Sequence, residues 1–439
     1  MSGLLVKKSL GVILFSFAFA TGILSSEGVQ ETNAQKVVPV VLVHGLGGSN
    51  IRARKDKADD SRGFTEDGFP QDLLRFGLGD PQNLQFDSSG RPRTDTISSS
   101  LEAVSFLKIP LIKDIADLSE HLQKEEYKLN VTLFEFYYDF RFSVPTNARK
   151  LGLFVERIKR SQKVSKVDIV GHSMGGLIAK VYAGVPANSR NVRRLIFVGT
   201  PHLGAPKALK ALRYGDNLGI PIIDECKLKR VARNLPGLYN MLPAKKYFDV
   251  KPGYFYDDDD IDGDSVKGLL GLGETFYNLK NGKETRCLLK KDVDVAPYDR
   301  RMPLNHLNKS LIDTHTLRFH ALFDNWKNPR NVEVYNVVGF GEFTVESIRE
   351  RDSEVVLIET REGDGTVPLW SAESVESDHV YYVNLPEIDS NHATMIGNKR
   401  IREQIHGLLT RGAGVYIPNI VKNRPDPGEF EKRSKEIKN

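Results

Sequence analysis

The chain has 439 residues, of which 40% are hydrophobic and 27% charged, and it carries a formal net charge of +5 at neutral pH. This is an ordinary globular composition, with enough chain for a large core arranged as two or three average domains or one decorated α/β domain. The charge is too mild to point to nucleic acid, though it is compatible with an anionic membrane surface.

At the N-terminus, Lys7 and Lys8 precede an apolar run from Leu10 to Leu24, followed by Ser25, Ser26 and Glu27. A run of about 15 residues falls short of the roughly 20 that span a bilayer. With small residues at Ala18 and Ala20, or at Thr32 and Ala34, the segment 1–34 predicts a signal peptide and export, secreted or periplasmic. An uncleaved membrane anchor is the alternative. No later segment is long and apolar enough to cross a membrane.

Next, "VVPVVLVHGLGG", Val37 to Gly48, predicts a buried strand that ends in a glycine-rich loop. Residues 52–100 are polar, charged and glycine-spotted and predict a long irregular excursion. "IKDIADLSEHLQKEEY" has helical spacing, with Ile112, Ile115, Leu118 and Leu122 on one side. "VTLFEFYYDFRFS" alternates like a strand, and "ARKLGLFVERIKRSQ" predicts a second amphipathic helix. "KVDIVGHS" then reads as a strand, "MGGLIAKVYAG" as a helix, and "VRRLIFVGTPHLGAPKAL" as another strand with a glycine–proline loop. This alternation of buried-looking strands and helices predicts a mostly parallel sheet with helices on both faces.

From about residue 207 to 330 the alternation weakens, which predicts an inserted, mainly helical cap. "NVEVYNVVG", "EVVLIET" and "HVYYVNL" supply further strands, and the charged, proline-bearing tail from Arg411 predicts loose packing. The expected organisation is a signal peptide (1–34), the first part of the core (35–206, with the irregular insertion at about 52–110), the cap (207–330), the remainder of the core (331–410) and the tail (411–439). Two cysteines, Cys226 and Cys287, are free thiols or, in an exported protein, one disulfide.

The chemistry is carried by "GHSMG", Gly171 to Gly175, a G-x-S-x-G motif between a predicted strand and a predicted helix. Its glycines permit a strained turn that lifts Ser173 above the sheet edge. The Met174 amide, at the start of the helix, can help hold a developing oxyanion. A serine nucleophile needs a base, and the base needs an orienting carboxylate, in the chain order serine, acid, histidine. His392 in "EIDSNHATMIGN" follows a strand and sits in a polar turn, where a loop-borne base belongs. His379 starts a strand, while His315 and His320 fall in a helical stretch. Asp364 in "ETREGDGTVPLW" lies between two glycines at a strand end, free to turn toward the histidine. The second oxyanion donor belongs on the loop after an early strand, where "HGLGG" offers the Leu46 amide. His44 precedes the serine in the chain and is expected to be structural.

Together these residues resemble the lecithin:cholesterol acyltransferase family within the α/β-hydrolase fold. The resemblance is carried by "PVVLVHGLGG", "YYDFR", "VDIVGHSMGG", "GTPHLGAPKAL", "NLPGLYNMLPAKKYF", "VYNVVG", "GDGTVPLW" and "NHATMI", in the family's order from Pro39 to about Ile405. It implies an α/β-hydrolase fold with a cap and a phospholipid or related ester lipid as substrate. It implies Ser173 as nucleophile, Asp364 as acid, His392 as base, and Leu46 and Met174 as oxyanion donors. It further implies O-acyl transfer from a phospholipid to a lipid alcohol; the lipase-like "HGLGG" keeps hydrolysis of the same ester open, and an inactive lipid-binding protein on the same fold is the third alternative. No cofactor and no metal are expected. Asp258, Asp260, Asp262 and Gly263 begin a calcium-loop pattern, but its twelfth position is Leu269 rather than the required glutamate. A basic "KLKRVARNL" near apolar "LGIPII" predicts contact with a membrane or lipid-particle surface.

Overall fold

A computed structural model describes residues 37–53, 85–92, 96–99, 114–216, 225–243, 245–250, 307–351, 354–415, 417–426, 428 and 430–437. The expected signal peptide, most of the excursion at 52–110, "LGIPII", the acidic run from Asp257, Cys287 and the side chain of Cys226 lie outside what is described.

In chain order the strands are β1 (Val40–Val43), β2 (Asn50–Ala53), β3 (Thr96–Ser99), β4 (Leu133–Phe136), β5 (Val167–His172) and β6 (Val192–Val198). They continue with β7 (Glu333–Phe340), β8 (Thr344–Arg351), β9 (Glu354–Thr360), β10 (His379–Asn384), β11 (Ile420–Val421) and β12 (Lys432–Ile437). Seven of them form the central sheet in the order β11-β10-β7-β6-β5-β1-β4. All neighbours in it are parallel except β11, which runs antiparallel to β10. This is the α/β-hydrolase fold.

The sheet is parallel because every strand must be covered on both faces, and the sequence supplies helices for both. β1 and β5 are buried throughout. The two-residue period of a strand sends Val41, Val43 and Ile169 to one face and Val40, Leu42 and Val170 to the other. On the first face lie α2 (Val144–Gln162) and α3 (Met174–Ala183), with Leu151, Val155, Leu177 and Ile178 inward. On the second lie α1 (Asp114–Lys124) and α11 (Lys399–Arg411), with Leu118, Leu122, Ile401, Ile405 and Leu408 inward. Each such side chain contributes about 2 kcal/mol of burial. The helix limits are local chemistry. The Ser143 hydroxyl accepts from the Thr146 amide at the start of α2, and Lys163 closes it in a left-handed conformation. Asn398 caps α11 in the same way through the Arg400 amide.

The described parts of 207–330 are mainly helical. They are α4 (Pro206–Arg213), α5 (Glu225–Ala232), α6 (Pro236–Tyr239), α7 (Lys245–Val250) and α8 (Lys309–Leu311), which passes through a π-helical turn, Ile312–Leu317, into α9 (Arg318–Phe323). Asn240, in "LPGLYNMLP", pins this region to the core. Its side chain accepts from the Val144 amide at 2.7 Å and donates to the His315 carbonyl at 2.6 Å.

Two features differ from the sequence expectations. The tail beyond Arg411 is not loosely packed: it gives β11 to the central sheet and β12 to an antiparallel sheet ordered β12-β9-β8. β9 therefore stands outside the central sheet, and β8, "TVESIRER", appears where the charged sequence carries little strand signal. A short turn element, α10 (Leu369–Ala372), follows the loop after β9.

Candidate active site

The corner between β5 and α3 places Ser173 in a conformation rare for a residue with a side chain, φ 52° and ψ −125°. Such backbone costs about 1–3 kcal/mol and persists only where the surroundings enforce it. Here the surroundings are close approaches, by backbone and by side chain, that only glycine permits. A Cβ on Gly175 would sit 2.2 Å from the Val43 carbonyl oxygen, and one on Gly176 would sit 1.9 Å from Thr200 Oγ1. The Ser173 amide donates to the Val198 carbonyl at 2.9 Å, tying the corner to β6.

Three loops converge on this serine. His392 Nε2 lies 2.9 Å from Ser173 Oγ, and His392 Nδ1 lies 2.7 Å from Asp364 Oδ2. A carboxylate only accepts, so Nδ1–H donates to Asp364 and Nε2 is left as the acceptor of the serine hydroxyl. Asp364 is fully buried, and its other oxygen accepts from the amides of Thr366 at 3.0 Å and Val367 at 2.7 Å. The His392 amide donates to the Asp364 carbonyl at 2.7 Å, so His392 and Asp364 are joined by main chain as well as side chain.

Leu46 lines the same cavity as Ser173, and Met174 follows the serine in the chain. Met174 opens α3, where backbone N–H groups have no intrahelical acceptor. Leu46 lies in a turn closed by the Gly48 amide on the Gly45 carbonyl at 3.2 Å. That turn leans so close to Ser173 that a Cβ on Gly45 would stand 3.0 Å from its Cβ. His44 is buried and faces Tyr138, with ring centroids 4.1 Å apart and planes 5° from parallel. Its Nδ1–H donates to the Gly45 carbonyl at 2.7 Å. Burial lowers its pKa to about 4. It is a neutral packing residue of the loop. His379 begins β10, and His315 and His320 lie on the helical run from Lys309 to Phe323.

The family model described as lecithin:cholesterol acyltransferase matches residues 92–394, about two thirds of the chain and a span that holds all three of these side chains. The chain belongs to the lecithin:cholesterol acyltransferase family. Phospholipase A(1) LCAT3 of Arabidopsis thaliana is 24% identical over 416 residues, covering 84% of this chain and 90% of that protein. Phosphatidylcholine-sterol acyltransferase of Mus musculus is 27% identical over 233 residues, covering 47% of this chain and 53% of that protein. Among solved structures, the mature form of the Bacillus licheniformis lipase BlEst2 is 14% identical, covers 86% of this chain and 94% of that chain, and has a TM-score of 0.37. Membership of the lecithin:cholesterol acyltransferase family makes the chain an enzyme of lipid ester chemistry, a lipid acyltransferase or lipase/phospholipase.

In this member of the family, Ser173, His392 and Leu46 line a cavity of about 260 Å³. Its wall is mostly apolar, with Ile51 and Phe140 from the core and Ala208, Leu228, Val231 and Leu238 from α4, α5 and α6. "YYDFR" builds one side. Arg141 and Asp139 form a buried two-pronged pair, with Nε to Oδ1 at 2.9 Å and Nη2 to Oδ2 at 2.6 Å.

Two residues essential to this geometry escape the sequence reading. His172, the variable position inside the serine motif, donates from Nε2 to the His392 carbonyl at 3.0 Å and so holds the main chain of His392. Burial, then the neighbouring His392, lowers its pKa to about 3, which keeps it neutral. Gly199, after β6, has φ +54°, and a Cβ there would lie 3.2 Å from Asp364 Oδ2, 3.3 Å from His392 Nδ1 and 2.8 Å from Met395 Sδ. The "VGTP" sequence, a glycine directly after a buried run, is the signal that would have found it.

Proposed function

We propose that the protein takes a fatty acyl group from a phospholipid ester onto Ser173 and delivers it to the hydroxyl of a lipid alcohol. The observation that carries this is the hydrogen-bonded line Ser173–His392–Asp364, at 2.9 and 2.7 Å, opening into an apolar cavity. Ser173 Oγ attacks the ester carbonyl as its proton passes to His392 Nε2. The Asp364 carboxylate stabilises the imidazolium that forms, and the Leu46 and Met174 amides receive the negative charge on the former carbonyl oxygen. Collapse breaks the ester C–O bond, and His392 returns the proton to the departing lysophospholipid. The acceptor hydroxyl then gives its proton to His392 and attacks the acyl-serine, and as the bond to Ser173 Oγ breaks His392 returns that proton to the serine. The cavity wall accommodates the acyl chain, and α5 turns its apolar side to it through Leu228, Val231 and Ala232.

A second reading, delivery of the acyl group to water, is supported by the name of the Arabidopsis relative, phospholipase A(1), which matches 84% of this chain. We further propose that export by residues 1–34 and a peripheral contact of the cap with lipid bring the enzyme to its substrate. The test is incubation with acyl-labelled phospholipid vesicles, alone and with a sterol or diacylglycerol. Labelled neutral ester supports acyl transfer, labelled free fatty acid alone supports hydrolysis, and neither product from a folded chain refutes both.

A further inference from the structure

On the opposite face of the sheet, α1 and α11 bring two histidines and a carboxylate together. His121 sits in the last turn of α1 and Glu125 one turn further on, while His406 comes from α11. Among the described residues this group stands out because one donor atom from each of the three lies within 4.8 Å of the others. The imidazole rings are 6.1 Å apart, centroid to centroid, at 85°.

The two Nε2 atoms are shut away from water, and neither has a hydrogen-bond partner. Leaving a buried imidazole nitrogen unpaired costs about 1–3 kcal/mol, so two in one cluster need an explanation. A cation between them satisfies both at once. The charges around the cluster permit one. Glu126 Oε1 lies 3.8 Å from His406 Nε2, and Glu403 is close enough to act on His121. The opposing Arg402 guanidinium is held by α1, with Nη1 donating to the Asp117 carbonyl at 2.9 Å.

We propose that His121, Glu125 and His406 bind a divalent transition-metal ion of the zinc type and thereby fasten α1 to α11. Two imidazoles and one carboxylate suit zinc, nickel or copper, whereas calcium and magnesium require oxygen ligands throughout. The site is structural rather than catalytic. α1 also packs against the turn Met395–Gly397 just after His392, and its Ile115 reaches the wall of the Ser173 cavity. The ion therefore braces the helix that backs the loop of the base.

The experiment uses the full chain without a histidine tag, stripped with a chelator and titrated with zinc chloride by calorimetry and thermal melting. The expected result is one ion per chain and a Tm raised by about 3 °C at a hundredfold excess over Kd. His121→Ala abolishes the binding. Glu125→Gln, at an exposed position that leaves folding intact, weakens it at least tenfold. Magnesium gives neither signal. No saturable binding below millimolar zinc overturns the proposal, and so does binding that survives Glu125→Gln unchanged.

Discussion

Asp364→Asn exchanges one oxygen for an NH2 group, and the hydrogen bonds around that carboxylate set the size of its effect. Oδ1 of the aspartate accepts two backbone amides, from Thr366 and Val367, while Oδ2 accepts Nδ1–H of His392. An asparagine that keeps its oxygen toward those amides turns its NH2 toward His392. Nδ1 must then accept, which moves the ring proton to Nε2, facing Ser173, and the base can no longer take the serine's proton. The loss expected for that tautomer is on the order of 10⁴ in turnover, about 5.5 kcal/mol. The flipped amide keeps the working tautomer but sets NH2 against two N–H donors. Orphaning two buried donors at about 2 kcal/mol each costs about 4 kcal/mol, or roughly 10³. The cheaper route sets the outcome, so turnover should fall between about 10³- and 10⁴-fold. The assay is acyl release from labelled phospholipid vesicles together with the rate of fluorophosphonate labelling of Ser173, and a denaturant midpoint serves as the check on folding. A loss below tenfold with a native midpoint would refute the assigned role of Asp364.

Ser173→Ala should abolish fluorophosphonate labelling and lower ester turnover by several orders of magnitude; labelling of a different serine in the native chain sinks the assignment. Gly199→Ala should cost about 1–2 kcal/mol of stability for its positive φ and about a hundredfold in turnover by displacing the His392–Asp364 pair, and normal kinetics would contradict that. Ala208→Phe, which projects into the cavity, should shift the preferred acyl group to shorter chains, with an unchanged chain-length profile as the contrary result. Stability should also fall in acid. His44 and His172 hold fewer protons folded than unfolded below about pH 6.5, so their contribution is full above that pH. It declines by about 1.4 kcal/mol per pH unit per histidine as the pH falls toward their folded values of about 4 and about 3. Equal urea midpoints at pH 7 and pH 5 would show otherwise.

The strand–serine–helix corner is legible in the sequence because its requirements are local: a β-branched run, three glycines within six residues, and an apolar helix. Asp364 and His392 are legible for a different reason. Each stands in a polar loop after a strand, and the order of the chain selects them. His172 is not legible, because its motif position accepts any residue type and its partner lies 220 residues away. The same applies to β12, whose "KRSKEI" carries no hydrophobic alternation and becomes a strand only by pairing with β9. The π-helical turn at Ile312–Leu317 leaves no periodicity that separates it from the α-helices on either side.

The pairing of β12 with β9 also sets a timetable. β9 ends at Thr360, four residues before Asp364, and Lys432 to Ile437 lie along its open side. The Arg361 amide donates to the Glu431 carbonyl at 3.0 Å, so the hold extends into the acid's own loop. During synthesis, residues 37–411 can fold their sheet and helices and even present Ser173 while this edge is still bare. At the 5–20 residues per second of translation, β12 follows Asp364 by roughly several seconds. In that interval a growing chain holds Ser173 while β9, the strand that leads to Asp364, pairs with β8 alone. The brace on the Asp364 loop is therefore among the last parts of the fold to form, once residues near 437 have emerged.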